Sequence, residues 1–178
     1  MIAAALLSSL PAVTIAHETR PAIMDLTLGE SAEATLTMNA EAWLAGIDLS
    51  VWEDTNEAPE AAAYDALRAL PPGGLADALM AEGIGGALVS EGLGAWDLLS
   101  VEVIPEPDAE LPRDTVLALS APVTGDVRIG PSARLGNLIL RQEDEAAFAG
   151  LVAPGALSPV LEGARGGFWG WLGGLFGG

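Results

Sequence analysis

With 178 residues, 51% of them hydrophobic, the chain is long enough to enclose one sizeable core. Its 7 basic and 25 acidic side chains give a net charge of −18, a field that repels phosphate backbones and anionic headgroups and so excludes nucleic-acid binding. All seven basic residues are arginine and there is no cysteine, which rules out disulfides, zinc–thiolate sites, iron–sulfur clusters and cysteine nucleophiles within the chain.

Residues 1–16 read as a secretory leader. Ala3 to Ala16 carry no charge, an apolar run stands at Ala3–Leu7, and small residues flank Ile15 in Thr14-Ile15-Ala16. Cleavage after Ala16 would start the mature chain at His17. The competing reading is a buried N-terminal strand or helix. The leader places the rest of the chain in the periplasm, on the outer face of the cytoplasmic membrane.

Strict alternation follows. Ala22, Met24, Leu26 and Leu28 fall on one face, and Ala32, Ala34, Leu36 and Met38 continue it after Gly29-Glu30. This predicts a β-hairpin, with Gly-Glu suited to a type II′ turn. Ala42, Trp43, Leu44 and Ile47 fit a short helix. The polar loop Asp54-Thr55-Asn56-Glu57 then leads to Pro59, which opens a helix over Glu60–Leu70. Pro71-Pro72-Gly73-Gly74 stops that helix, and a second runs from Leu75 to Glu82.

Short strands are predicted at Ala87–Val89, Leu98–Val103, Thr115–Ala121, Asp126–Ile129, Asn137–Gln142 and Phe148–Val152, with a proline-rich linker at Pro105–Pro112. Turn signals about every ten residues point to a mainly β domain over residues 17–162, an antiparallel immunoglobulin-like β-sandwich with a short helical insertion near 59–82. Residues 163–178 form a tail that holds only Gly, Phe, Trp and Leu from Gly166 onward. Such a segment is shorter than the about 20 residues needed to span a bilayer, but its tryptophans suit the membrane interface. It reads as an anchor, as the opening of a transmembrane region, or as a disordered end.

Five segments together resemble the extracytoplasmic N-terminal domain of the HupE/UreJ family: AHETRPAIMDLTL (Ala16 to Leu28), LAGIDLSVWEDTNEAPEAAAYDALRALPP (Leu44 to Pro72), LPRDTVLALSA (Leu111 to Ala121), LGNLILRQ (Leu135 to Gln142) and APGALSP (Ala153 to Pro159). The resemblance implies a non-catalytic domain of a nickel or cobalt permease, whose partner is a membrane-embedded permease domain or another membrane protein. The family's metal-handling bundle lies outside the matched segments. The chain is therefore read either as a piece of a longer permease or as a stand-alone relative.

Of the candidate sites, His17 comes first. As a new N-terminus it would offer an α-amine and an imidazole to a nickel, cobalt or copper ion, with Glu18 or Asp25 adding oxygen. That is the basis of a different reading, a free periplasmic metal chaperone. A histidine left at a cleavage junction needs no ligand role, however, and no second imidazole exists to complete a two-histidine site. A third reading is an interaction domain tethered by its tail.

Asp54-Thr55-Asn56-Glu57 lacks the rhythm of a calcium loop and reads better as the cap of the helix that follows. Arg113 and Asp114 are expected to pair with each other, and Gln142-Glu143-Asp144-Glu145 to form a solvated turn. Trp43, Trp52 and Trp96 are read as core. No Gly-x-Ser-x-Gly elbow is present, and any serine–histidine pair would have to recruit His17 at the terminus. The chain is accordingly expected not to be an enzyme.

Overall fold

The structure, a computed structural model, describes residues 20–108, 111–142 and 149–161. The leader at 1–16, His17, Glu18 and the tail at 163–178 lie outside these residues. Among the described residues there are seven strands: β1 (Ala22–Leu28), β2 (Ser31–Met38), β3 (Leu88–Leu93), β4 (Asp97–Val103), β5 (Thr115–Pro131), β6 (Leu138–Gln142) and β7 (Ala149–Val152). Between β2 and β3 lie α1 (Ala40–Ala45), α2 (Ala61–Arg68) and α3 (Pro72–Glu82). The protein is thus mainly β with a helical insertion, as its sequence indicates.

The first hairpin buries the expected residues. Met24, Leu26 and Leu36 are wholly inaccessible, while Asp25, Thr27, Glu33 and Thr35 look outward. Its turn differs from the expected one. Leu28 pairs with Ala32, so three residues make the connection, and Gly29 is not among the glycines at positive φ, which a type II′ turn would require there.

The predicted strands at Thr115–Ala121 and Asp126–Ile129 are one strand. The first half of β5 is flanked by β2 on one edge and β4 on the other. Its second half pairs with β3. Residues 122–126 are accessible or partly so, and burial resumes at Val127 and Ile129. At this bend the partner strand comes close. Gly92 has φ of +69°, and a β-carbon there would lie 2.2 Å from the Asp126 carbonyl oxygen; one at Gly94 would lie 2.6 Å from Pro122 Cγ. Only glycine fits either approach, and the register shift between Glu91 and Leu93 marks the bulge.

The purely antiparallel pattern expected of the sandwich is not adopted. β1 and β6 run parallel, with Ala22 opposite Leu138 and Leu26 opposite Gln142, and the strand order β3-β5-β2-β1-β6-β7 makes a mixed sheet that curls into a half-barrel. The reason is the route of the chain. The second half of β5 carries it back to the end of the sheet where β1 begins, so β6 enters beside β1 pointing the same way; the Ala22 N–H donates to the Asn137 carbonyl at 2.9 Å. Alternation reports which face a residue occupies but not the direction of its partner.

The segment after β7 returns to the other edge of β5. The amides of Gly155, Ser158 and Leu161 donate to the carbonyls of Pro131, Ile129 and Val127. The core lies inside this wrap: Met24, Leu36, Leu117, Ile129, Leu138 and Leu140 are its inaccessible centre, and Leu75 and Leu79 of α3 cover it.

The helices also begin where local chemistry allows. Asn39 Oδ1 accepts from the Ala42 N–H at 2.9 Å and caps α1. Pro71-Pro72-Gly73-Gly74, expected only as a stop, both ends α2 and opens α3. Pro72 occupies the first turn of α3, where a missing N–H costs nothing.

A β-carbon at Gly130 would stand 1.8 Å from the Ala156 carbonyl oxygen. Gly130→Ala is therefore expected to push the returning segment off β5, costing about 1–3 kcal/mol as overpacking does. Urea unfolding would give the loss, and faster hydrogen exchange at the Ser158 and Leu161 amides would localise it.

Candidate functional site

Two arrangements concentrate polar chemistry: an ion pair under the helical insertion, and a cleft at one end of the sheet. The ion pair joins α1 to the segment before β5. Glu41, with no accessible surface, accepts from Arg113 Nε at 2.6 Å across 72 residues of sequence. The rest of the guanidinium donates to the carbonyls of Leu70 (2.8 Å) and Leu67 (3.1 Å), which stand at the open end of α2. A planar fork suits this task, because it reaches a carboxylate and two helix-end carbonyls at once. Arg68 answers in the other direction, donating to the Leu111 carbonyl at 3.0 Å.

The expected pairing of Arg113 with Asp114 is therefore replaced. Adjacent residues at the start of a strand point to opposite faces, so Arg113 turns inward to Glu41 while Asp114 turns outward, 3.9 Å from Arg20.

Trp43 extends the same stitching. Its indole N–H donates to the Gly83 carbonyl at 3.2 Å, and the Arg134 guanidinium lies 4.1 Å from the ring centroid while donating to the Trp43 carbonyl. Trp43 is core, as expected; Trp52 and Trp96 pack against the core half-buried. In the loop expected to cap a helix, Asp54 Oδ1 accepts from the Asn56 N–H at 2.9 Å and caps a single 3-10 turn, Thr55–Glu57. The helix α2 starts later, at Ala61, with no side-chain cap. Tyr64 of α2 is buried, and its hydroxyl accepts from Asn39 Nδ2 at 3.3 Å.

The cleft has a volume of about 930 Å³. Four connections meet to form it: the entry to β1 (Arg20, Pro21), the loop after α1 (Leu49, Ser50, Glu53), the turn after β5 and the turn after β7. Arg20 and Glu53 are its charged residues, and Ser50, Ser132 and Asn137 add neutral polar groups. The sequence gives no local signal of it, since its walls come from segments over a hundred residues apart.

Of the sequence-predicted metal ligands, His17 and Glu18 lie outside the described residues. Asp25, the alternative oxygen donor, is engaged elsewhere: Arg141 grips both of its carboxylate oxygens at 2.5 Å across the parallel β1–β6 pair. Among the described residues no three histidine, cysteine or acidic side chains stand together in a group able to hold a metal ion. Only Gln142 of the predicted acidic turn is described, and it is buried.

Arg113→Ala leaves the Glu41 carboxylate buried without its counter-ion, which is expected to cost about 3–5 kcal/mol. Chemical denaturation should show that loss, with part of it recovered in the double variant Glu41→Leu/Arg113→Met. Burial, more than any other influence, holds the Tyr64 phenol above its ordinary value of 10.0. Above pH 10 the unfolded chain releases this proton while the native protein keeps it, so stability should fall as pH rises through that window. The chain has one tyrosine and neither lysine nor cysteine, so no other side chain titrates nearby. Unfolding followed from pH 9 to 11 should show this fall in the native chain and not in Tyr64→Phe, which at neutral pH loses about 1 kcal/mol with its hydrogen bond.

No family model matches the chain, and no curated protein matches it at a significant level.

Proposed function

We propose that this chain is an extracytoplasmic, non-catalytic domain of a HupE/UreJ-like nickel or cobalt permease, positioned at the outer face of the cytoplasmic membrane beside a membrane-embedded partner. The observation that carries this reading is the coupling of the two strings on which the resemblance chiefly rests. Asp54–Pro72 and Leu111–Ala121 are distant in sequence, yet Arg113 of the second holds the Leu67 and Leu70 carbonyls of the first, and Arg68 of the first holds the Leu111 carbonyl of the second. Side chains that must be present together for one packing arrangement are those expected to be kept together in a related domain.

Three further points support the reading. Glu41, Arg113, Asp25 and Arg141 are engaged in pairs that hold secondary structure together, which suits a scaffold better than a reaction centre. The mainly β architecture, in which β5 lends its first half to β2 and β4 and its second half to β3, suits an immunoglobulin-like relationship. No helix among the described residues is long and apolar enough to cross a membrane, so any passage through the bilayer by helices would fall to other segments.

Expression of the complete chain in a bacterium, followed by fractionation and intact mass measurement, tests the placement. The expected product is periplasmic and begins at His17. An uncleaved chain held in the cytoplasm would refute the proposal. Sequencing of the gene beyond the Gly178 codon is expected to reveal membrane helices in frame or a separate permease gene close by.

A further inference from the structure

We infer that the cleft at the end of the sheet is a binding site for a short zwitterionic peptide, with Arg20 receiving its carboxylate and Glu53 its ammonium group. The inference goes beyond the permease reading and does not depend on it. Three polar side chains of the cleft wall are uncommitted within the molecule. Arg68, Arg113, Arg134 and Arg141 each donate to an acceptor in the chain. Arg20 donates to none among the described residues; Asp114, 3.9 Å away, is beyond hydrogen-bonding distance, and both side chains are more than half exposed. The side chains of Glu53 and Asn137 likewise make no hydrogen bond among the described residues. These three groups come from the entry to β1, the loop after α1 and the entry to β6. Only the tertiary structure brings them to one space of about 930 Å³.

Their chemistry defines the ligand. A guanidinium offers a planar fork to a carboxylate, Glu53 accepts from an ammonium group, and the Asn137 amide serves a peptide group as donor or acceptor. A purely anionic ligand would satisfy Arg20 but meet the field of a chain with net charge −18. A purely cationic one would gain from that field but face Arg20. A zwitterion escapes both penalties, because it has no net charge and presents each end to an opposite one. The apolar wall sets the body of the ligand. Val89 is 50% exposed and Leu49 partly so, and Pro131 beside them has no N–H to satisfy. An aliphatic side chain laid on them removes apolar surface from water. The volume lies at the upper end of the range of ligand pockets, about 300–1,000 Å³, and is more than a single amino acid fills, which favours a peptide.

Titration of the tripeptide Ala-Leu-Ala, with free termini, into the isotope-labelled complete chain followed by NMR tests the site. Saturable shifts are expected at the Val89 and Gly155 amides and at the Asn137 side-chain amide, with a dissociation constant below about 1 mM. Amidating the peptide's carboxyl end or acetylating its amino end should each weaken binding by roughly tenfold or more. Arg20→Gln should lose the discrimination against the amidated peptide, and Glu53→Gln that against the acetylated one. Glu102→Gln, an exposed acid on β4, should bind as the parent does. Equal binding of free and capped peptides would overturn the zwitterionic assignment. Absence of saturable binding, or saturation without shifts at those amides, would overturn the site. None of these outcomes bears on the export of the chain, so the permease reading stands or falls separately.

Discussion

The fold depends on one strand being hydrogen-bonded along both edges while it serves both sides of the core. β5 takes β2 and β4 as neighbours over its first half, then β3 and the returning segment 155–161 over its second. A strand in that position cannot shift register by one residue without turning Leu117, Leu119, Val127 and Ile129 out of the core together. The bend between its halves is possible because Gly92 lets the backbone at Asp126 approach and Gly94 makes room for the Pro122 ring, where a β-carbon would collide. The half-barrel, the parallel β1–β6 pair and the gathering of four connections into one cleft all follow from that bend.

Within the helical insertion, α2 is held on by different means. α2 offers the main core little apolar surface, and Tyr64, its buried residue, belongs to a small cluster with Ala42, Ile47 and Ala58. What fixes α2 is Arg113 and Arg68, which join it to the segment ahead of β5, whereas α1 and α3 pack on the core through Trp43, Leu75 and Leu79, with Arg134 over the Trp43 ring. In a chain with 25 acids and no lysine, the guanidinium groups serve mainly as hydrogen-bonding forks. Glu41 is the acid this arrangement removes from water, and its second carboxylate oxygen makes no hydrogen bond among the described residues. A buried pair of this sort adds little net stability compared with apolar packing, but it penalises any arrangement in which the partners separate. It therefore sets the position of the insertion more than it strengthens the fold.

The proposed roles divide the molecule in two. The arginine-bound face accounts for the coupling of distant strings, and the opposite demand, a space left open, is met where the loops converge. Rigid strands end there, and prolines at 21, 131 and 154 stiffen the backbone around the cleft.

The sequence by itself determined the faces of β1 and β2, the two helices on either side of Pro71-Pro72-Gly73-Gly74 and the stop at Pro71, because side-chain alternation and proline chemistry act over a few residues. It could not separate a bend from a break: Pro122 to Asp126 has the composition of a turn, and only the pairing of Pro122 with Ser31 and of Val123 with Leu93 makes it the middle of β5. It could not give the direction of β6, since alternation is the same for parallel and antiparallel neighbours. It paired Arg113 with Asp114, the nearest opposite charge, whereas the tertiary structure chose Glu41, 72 residues away, because that carboxylate is shielded from water and the two helix-end carbonyls lie beside it. The cleft belonged wholly to the tertiary structure, for a space enclosed by four separate connections has no pattern in any one of them.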